Sequence, residues 1–433
     1  MTDLSLTKPL THNILTSGAV LDIDSYQNNG GYQGLRKVLA MSSGDVIDQV
    51  IASDLKGRGG AGFNAGLKWS FVPRGINAPK QKYLVANADE MEPGTFKDRL
   101  LMEGDPHQLL EGMMIAAYAI EANVAYLFLR GEYVKAEKIL QRAINECYEK
   151  KLLGKNILGA NFSLDLYLHT SAGRYICGEE TALLNALEGK RATPRARPPF
   201  PQVCGAWGKP TVVNNVETLC NLPHIMKNGV DWYAGLSASQ GYVSKDMGTK
   251  LFGVSGRVKN PGCWELPMGT PIREILEQHA GGMQDGYQLK GFLPGGGSTD
   301  FLTPDHLDLP MEYEAIAKAG SRMGTGTMIV LDDKTCPVGM VLNLEQFFAQ
   351  ESCGWCTPCR DGLPWTRQIL ESIEQGSGLV EDLDTLIEHT RFMGPGNTFC
   401  ALAPGAMEPL QSALKYFRSD FEQHISDKAC PYC

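Results

Sequence analysis

Three cysteines crowd into seven residues near the end of this 433-residue chain, Cys353-Gly-Trp-Cys356-Thr-Pro-Cys359. A fourth candidate, Cys400, follows in Asn397-Thr-Phe-Cys400-Ala-Leu-Ala-Pro404. Thiolates are soft ligands, and a C-x2-C-x2-C run places three of them around one cluster. A distant cysteine then closes the fourth corner of a [4Fe–4S] cube. Structural zinc also takes four cysteines, but its usual spacing is two C-x2–4-C pairs, so the third cysteine at x2 favours the cube. Such a cluster passes electrons one at a time, and electron transfer is the expected work of the chain.

Other residues say where the electrons come from. Gly57-Arg-Gly59-Gly60-Ala-Gly62-Phe63 contains the letters G-x-G-x-x-G, but no hydrophobic strand precedes it, so it is not a standard dinucleotide turn. Its small residues let the backbone approach a flat or phosphorylated ligand, with Lys68 nearby as a point charge. A flexible surface loop is the competing reading. Asn87-Ala-Asp89-Glu90-Met-Glu92 follows an apolar run, Tyr83-Leu-Val-Ala, that reads as a strand. A solvated acidic turn explains these carboxylates equally well. Arg174-Tyr175-Ile-Cys177-Gly178-Glu179-Glu180-Thr181 and Pro210-Thr-Val-Val213-Asn214-Asn215-Val-Glu-Thr218 add further carboxylates and paired amides. Together these groups suit a ligand with ring N–H and C=O groups, ribityl hydroxyls and a phosphate, as in flavin mononucleotide.

The elements that must position these groups alternate. Strands are expected at 83–88, 124–130 and 162–169, with helices at 106–120 and 133–148, which predicts a parallel sheet covered on both faces. An amphipathic helix precedes the glycine loop at 45–55. From residue 250, strands at 251–258, 262–266 and 289–293 with a helix at 271–279 predict a small β-grasp-like unit. Helices at 337–351, 363–375, 379–392 and 406–425 predict a four-helix bundle, with the cysteine run between its first two helices. The expected organisation is 1–72, an N-terminal segment with the glycine loop; 73–245, the α/β domain; 246–332, the β-grasp; and 333–433, the bundle.

Composition excludes some classes. A net charge of −9 without any long basic run argues against nucleic acid. The most apolar window, 109–129, is broken by Glu111, Glu121 and Asn123, so no direct membrane insertion is expected. The first ten residues lack the basic and apolar regions of a secretory signal, which predicts a cytosolic chain with reduced thiols. Cys147, Cys177, Cys204, Cys220, Cys263 and Cys336 are each expected to be a small buried apolar residue. The terminal Cys430-Pro-Tyr-Cys433 is expected to be frayed and without a role.

Taken together, Gly57–Phe63 with Gly66-Leu-Lys68-Trp69-Ser, Asn87–Arg99, Tyr175–Leu184, Pro198-Pro-Phe200-Pro, Val213–Leu219 and the cysteines resemble the flavin- and NADH-binding subunit of respiratory complex I. The resemblance runs through nearly the whole chain. It implies a multidomain α/β fold: a Rossmann-like parallel-sheet domain for FMN and NADH, a ubiquitin-like SLBB β-grasp domain, and a C-terminal four-helix bundle with the iron–sulfur cluster. The implied activity is that of an NADH:quinone oxidoreductase, taking a hydride from NADH onto FMN and sending single electrons into a [4Fe–4S] cluster and on towards quinone.

By the same resemblance Gly57, Gly59, Lys68, Asn87, Asp89, Glu90, Tyr175, Gly178, Glu179, Val213, Asn214, Asn215 and Thr218 hold FMN. Phe63, Phe71, Glu92, Glu180, Arg197 and Phe200 line the NADH site, and Cys353, Cys356, Cys359 and Cys400 are the cluster ligands. No catalytic side chain is implied, because the hydride passes directly to the flavin. Glu92 and Glu180 would bond ribose and carboxamide, assist NAD+ release and repel the extra phosphate of NADPH. Implied partners are a thioredoxin-like [2Fe–2S] subunit and a large multi-cluster iron–sulfur subunit. Through them the chain would sit peripherally on the inner side of the cell membrane.

Two positions depart from the family pattern: Arg197 stands where Lys is expected, and Phe96 where many relatives have Cys. Diaphorase subunits of soluble NAD-linked hydrogenases and formate dehydrogenases share these motifs. They often add a thioredoxin-like or ferredoxin-like segment, and none is legible here. A non-catalytic scaffold with a structural metal is the reading from another class, and a flavin spectrum bleached by NADH would eliminate it.

Overall fold

A computed structural model describes residues 7–238 and 241–432. Cys433 and the first six residues of the N-terminal stretch lie outside the described residues. The chain forms two compact units. One comprises the chain up to Met91 with Phe96–Leu251 and Glu265–Gly269; the other comprises Glu92–Thr95, Phe252–Trp264 and Thr270–Cys433.

The first unit is built on a four-stranded parallel sheet of β1 (Tyr83–Ala88), β2 (Val124–Leu129), β3 (Asp165–Thr170) and β4 (Thr211–Asn215), in the order β3-β2-β1-β4. Leu84, Val85 and Ala86 are all fully buried, as expected of a central strand covered on both faces. The covering helices match the expected periodicity. Pro106–Ala119 starts on an Asp105 cap with proline in its first turn, and Val134–Glu149 is amphipathic. β4 is not among the strands that periodicity predicts. Its apolar core is only Val212-Val213, too short a run to betray alternation.

A second sheet pairs β5 (Thr249–Ser255), β6 (Gly262–Pro267), β7 (Leu289–Leu293) and β8 (Thr327–Asp332) in the order β6-β5-β8-β7. β8 runs parallel to β5 and antiparallel to β7, the pairing of a β-grasp. Helices Pro337–Glu351, Thr357–Glu374, Val380–Phe392, Leu402–Tyr416 and Arg418–Asp427 follow. In place of the one helix expected over 406–425 there are two, broken at Phe417, whose buried ring packs on Phe301 with centroids 5.3 Å apart. The helix expected from residue 363 begins at Thr357 instead, with proline in its first turn, so Cys359 lies on the helix and not in a loop.

Glu345, fully buried on helix Pro337–Glu351, has no hydrogen-bond partner among the described residues for either carboxylate oxygen. Burial pushes its carboxyl well above the usual range. A carboxyl raised on folding costs stability once the pH exceeds its unfolded value, and the cost grows as the pH climbs towards the folded value. Glu345→Met, of similar volume, is therefore expected to stabilise the chain by about 1–3 kcal/mol near neutrality. Urea denaturation at pH 6 and pH 8 checks this: the gain must be larger at pH 8, and an equal gain at both would refute the cause.

Candidate functional site

The carboxyl ends of β1 and β4 lie side by side, Ala86 opposite Asn214 and Asn87 opposite Asn215. β2 and β4 flank β1 on opposite sides, so the strand order reverses here, where open parallel sheets bind their ligands. A cavity of about 960 Å³ opens at this point, near the top of the roughly 300–1,000 Å³ usual for small-molecule sites. Its walls bring together Gly57, Gly59, Lys68, Asn87, Gly178, Glu179, Val213, Asn214, Asn215 and Thr218 from the expected flavin set. From the expected nucleotide set they add Phe63, Phe71, Glu180, Arg197 and Phe200.

Four expected residues are not in these walls. Glu90 is buried with its carboxylate on the N-terminus of helix Lys97–Gly104, accepting the amide N–H groups of Asp98 at 2.7 Å and Arg99 at 3.0 Å. Burial and the neighbouring Asp98 push it up to about 7. It does the capping that Phe96, the residue before that helix, cannot. Asp89 is buried too and accepts the Ser171 hydroxyl at 3.2 Å. Tyr175 opens the short turn that ends at Gly178. In the second unit, Glu92 accepts the Ser298 amide N–H at 2.7 Å.

The glycine loop is anchored, not flexible. Arg58 is fully buried. Its amide donates to the Thr218 hydroxyl at 2.9 Å, and its guanidinium donates to Tyr233 Oη at 3.1 Å and the Met247 carbonyl at 2.9 Å. Gly60 and Gly62 hold positive φ of 112° and 64°. A Cβ on Gly59 would come within 3.0 Å of Asn215 Cβ, so the bare backbone there is a packing requirement.

On the floor, Trp69 Nε1 donates to Asn214 Oδ1 at 2.8 Å, which fixes the amide so that its NH2 is the end left to donate. Asn87 donates to the Gly178 carbonyl at 3.0 Å. Lys68 bonds Glu180 at 2.6 Å and the Val213 carbonyl at 2.8 Å, while Arg197 bonds Glu179 at 2.6 Å and Glu180 at 3.0 Å. The guanidinium thus spans two carboxylates, which a lysine's point charge does less well. Phe63, Phe71 and Phe200 stay about half exposed. Bare rings beside a polar floor suit a flat, partly polar ring system, and with the glycine backbone and Lys68 the residues fit a flavin nucleotide.

Behind the floor lies a buried ion network. Glu217 lies between Lys97, at 2.8 Å, and Lys250, at 2.9 Å. Lys97 also holds Asp98 at 2.8 Å, and Asp98 accepts from the Asn215 amide at 2.7 Å. Sequence reasoning misses this network, because nothing local distinguishes Lys97, Glu217 or Lys250 from surface charges. It also misses the wall residues Ala61, Ala65, Gln202 and Val203. Gln202 and Val203 stand two and three places after Phe200, which is the available signal.

In the second unit Cys356 immediately precedes helix Thr357–Glu374, Cys359 lies buried in its first turn, and Cys400 lies just before helix Leu402–Tyr416. Trp355 packs edge-on against Phe399 at 6.1 Å, tying the two cysteine segments together. Burial, with the charges of Cys356, Cys400 and Cys353 adding to it, pushes the Cys359 thiol up to about 12 despite its bond with Ser352. The other three thiols therefore all act on Cys359. Among the described residues, however, no three of them belong to a set of ligand atoms within 4.8 Å of one another.

A switch-point cavity whose walls suit a flavin nucleotide, together with cysteines at cluster spacing on helix ends, is the pattern of an iron–sulfur flavoprotein oxidoreductase. Residues 50–224 match the Nuo51 FMN-binding domain, 251–301 the SLBB domain, and 339–424 the NADH-ubiquinone oxidoreductase-F iron-sulfur binding region. The F subunit of NADH-quinone oxidoreductase from Escherichia coli (strain K12) is 59% identical over 420 residues, covering 97% of this chain and 93% of that protein. An F subunit of the same enzyme from Rhizobium meliloti (strain 1021) is 48% identical, covering 95% and 96%. The chain belongs to the family of NADH-quinone oxidoreductase F subunits of complex I, oxidoreductases with FMN and [4Fe–4S] cofactors and NADH as substrate. A solved NAD+-reducing [NiFe]-hydrogenase in the H2-reduced state superposes with TM-score 0.80 at 34% identity, covering 93% of this chain. This chain spans 65% of that hydrogenase chain's length. No helix among the described residues is long and apolar enough to cross a membrane.

Proposed function

We propose that this chain oxidises NADH in the β1–β4 cavity and passes single electrons through the Cys353, Cys356, Cys359 and Cys400 centre towards quinone. The observation that carries this reading is the convergence of Asn87, Asn214 and Asn215 with the anchored glycine loop in one large cavity. Bound FMN supplies hydride acceptance and one-electron release, and a [4Fe–4S] cluster relays the electrons. Gly57, Gly59, Asn87, Gly178, Val213, Asn214, Asn215 and Thr218 hold the flavin. Lys68 and Glu179 frame it, Asp89 and Glu90 brace these walls from behind, and Tyr175 opens the turn that carries Gly178. Phe63, Phe71, Phe200 and Arg197 receive the nucleotide. No side chain is needed as a general acid or base.

Glu180 sets the preference for NADH. Together with Glu179 its carboxylate balances Lys68 and Arg197, so an added ribose phosphate meets a wall with no spare positive charge. Glu180→Gln leaves Lys68 without a carboxylate while Arg197 keeps Glu179, and the ratio of kcat/KM for NADH over NADPH is expected to fall about tenfold, as loss of one charge repulsion allows. An unchanged ratio would assign specificity elsewhere.

Membership of a complex I family implies that other subunits surround the chain. The reading extends to a thioredoxin-like [2Fe–2S] subunit and a multi-cluster iron–sulfur subunit as electron acceptors, and to a peripheral position on the inner face of the cell membrane. Anaerobic titration with NADH, followed optically and by EPR, tests the relay. Flavin bleaching followed by a reduced [4Fe–4S] signal is expected, and bleaching without that signal would sink it.

A further inference from the structure

Apart from the cysteine loops, a second set of ligand atoms converges within the second unit. The thiols of Cys336 and Cys430, the Glu374 carboxylate and the His424 imidazole each offer an atom, and these four lie within 4.8 Å of one another. Cys336 Sγ is 3.2 Å from Glu374 Oε2 and 3.2 Å from His424 Nε2, and Nε2 is 3.3 Å from Oε2. A tetrahedral zinc with bonds of about 2.0–2.3 Å has ligand–ligand edges of about 3.4–3.8 Å. These three edges match that figure to within a few tenths of an ångström. We propose that Cys336, Glu374, His424 and Cys430 form a mononuclear tetrahedral centre for a zinc-class divalent cation, separate from the iron–sulfur cysteines.

The surroundings are those of a built site. His424 is fully buried, and its Nδ1 lies 2.6 Å from the Asp420 carbonyl. A carbonyl only accepts, so the proton sits on Nδ1 and the Nε2 lone pair faces the other three ligands, the arrangement by which metal-binding histidines are oriented. The chain end that carries Cys430 is held in place. Lys290 bonds both Asp420, at 2.6 Å, and Tyr432 Oη, at 2.5 Å; Tyr432 also bonds Asp420 and stacks on His424. Gly376, at φ +73°, lies so close beneath the tail that a Cβ there would meet the Lys428 carbonyl at 2.0 Å. The expectation of a frayed tail is thereby overturned as far as Tyr432. So is that of Cys336 as a buried apolar residue, since it is partly exposed and polar-bonded.

The donor set selects the ion. Two thiolates and an imidazole prefer zinc to magnesium or calcium, which want oxygen ligands. Binding releases the two thiol protons to solvent. Cys336 caps helix Pro337–Glu351, Glu374 ends helix Thr357–Glu374, and His424 lies on helix Arg418–Asp427. The centre therefore clips three helices and the chain end together, including the helix on which Cys359 lies.

Zn2+ alone is the probe. The full-length chain, carrying its flavin and iron, is treated with chelator and titrated with Zn2+ against a chromophoric competitor, and in parallel with Co2+. One Zn2+ per chain is expected, along with a tetrahedral Co2+ spectrum showing thiolate charge transfer. Cys430→Ser lies past the last helix and leaves the bundle's packing intact. It should weaken Zn2+ binding at least tenfold with the iron content unchanged, and chelator should lower the melting midpoint of the parent chain but not of this variant. Equal Zn2+ affinity in parent and variant, or a Co2+ spectrum without thiolate bands, would overturn the proposal. So would a Cys336–Cys430 disulfide in the anaerobically purified chain.

Discussion

Glu217→Gln is expected to cost the first unit about 3–5 kcal/mol, as removal of one partner from a buried ion pair does. Lys250→Met should cost about 1 kcal/mol or less. The asymmetry follows from who shares what. Burial alone would push the Glu217 carboxyl up, but Lys250, Lys97 and Arg58 outweigh it and hold it at about 2. Lys250 is the strained partner: burial brings its ammonium down to about 8, with Glu217 only partly offsetting the cost. Without Lys250, Glu217 keeps Lys97 at 2.8 Å and the Leu251 amide at 2.8 Å. Without the Glu217 charge, two buried cations face each other. Because the folded value of Glu217 lies below its usual 4.5, its contribution is present above pH 4.5 and is lost as the pH falls towards 2. Lys250 gives a slope of the same sign in a higher window: its folded value also lies below its usual one, so stability rises as the pH passes from about 8 to 10.5. Denaturation between pH 3 and pH 7 should show the acid-side loss in the parent and not in Glu217→Gln. Flavin affinity should fall with it, because Asp98 of the same network holds Asn215. Equal costs for the two substitutions would refute the assignment.

Cys400→Ala carries the other large effect. The flavin should remain bound and be bleached by NADH, and an artificial acceptor should still be reduced. The [4Fe–4S] EPR signal should vanish, and quinone reduction in the assembled complex should fall at least about 100-fold, the upper end of what even an outer-shell loss costs a metal site. The split is expected because Cys400 belongs to the second unit and every wall of the flavin cavity to the first. A surviving cluster signal would mean that another residue closes the fourth corner.

Much of this is legible in one dimension. β1 falls on 83–88 as periodicity predicts, and the helix Pro337–Glu351 on its expected bounds, because long apolar runs with caps are local signals. β4 is hidden by its brevity, and the break at Phe417 by the continuous apolar pattern around it. Among the site residues, those in glycine- or amide-rich turns at strand ends reach the cavity. Asp89 and Glu90 do not, since a carboxylate in an acidic turn reads the same whether it faces a ligand or caps the next helix. Cys204, exposed, and Cys263, partly exposed, also depart from the buried positions expected of scattered cysteines.

By itself the sequence determined the chemistry on offer: thiols at cluster spacing, amides and glycines after apolar runs, and a charge balance unsuited to nucleic acid. Those properties depend on residue type and on separations of a few positions, which the covalent chain sets directly. Only the tertiary structure decided which groups share a cavity, which carboxylates are braces, and where Lys97, Glu217 and Lys250 meet. It alone brought Cys336 to within reach of a cysteine 94 positions later. Such encounters depend on strand order and helix packing across long loops, and no short-range pattern encodes them.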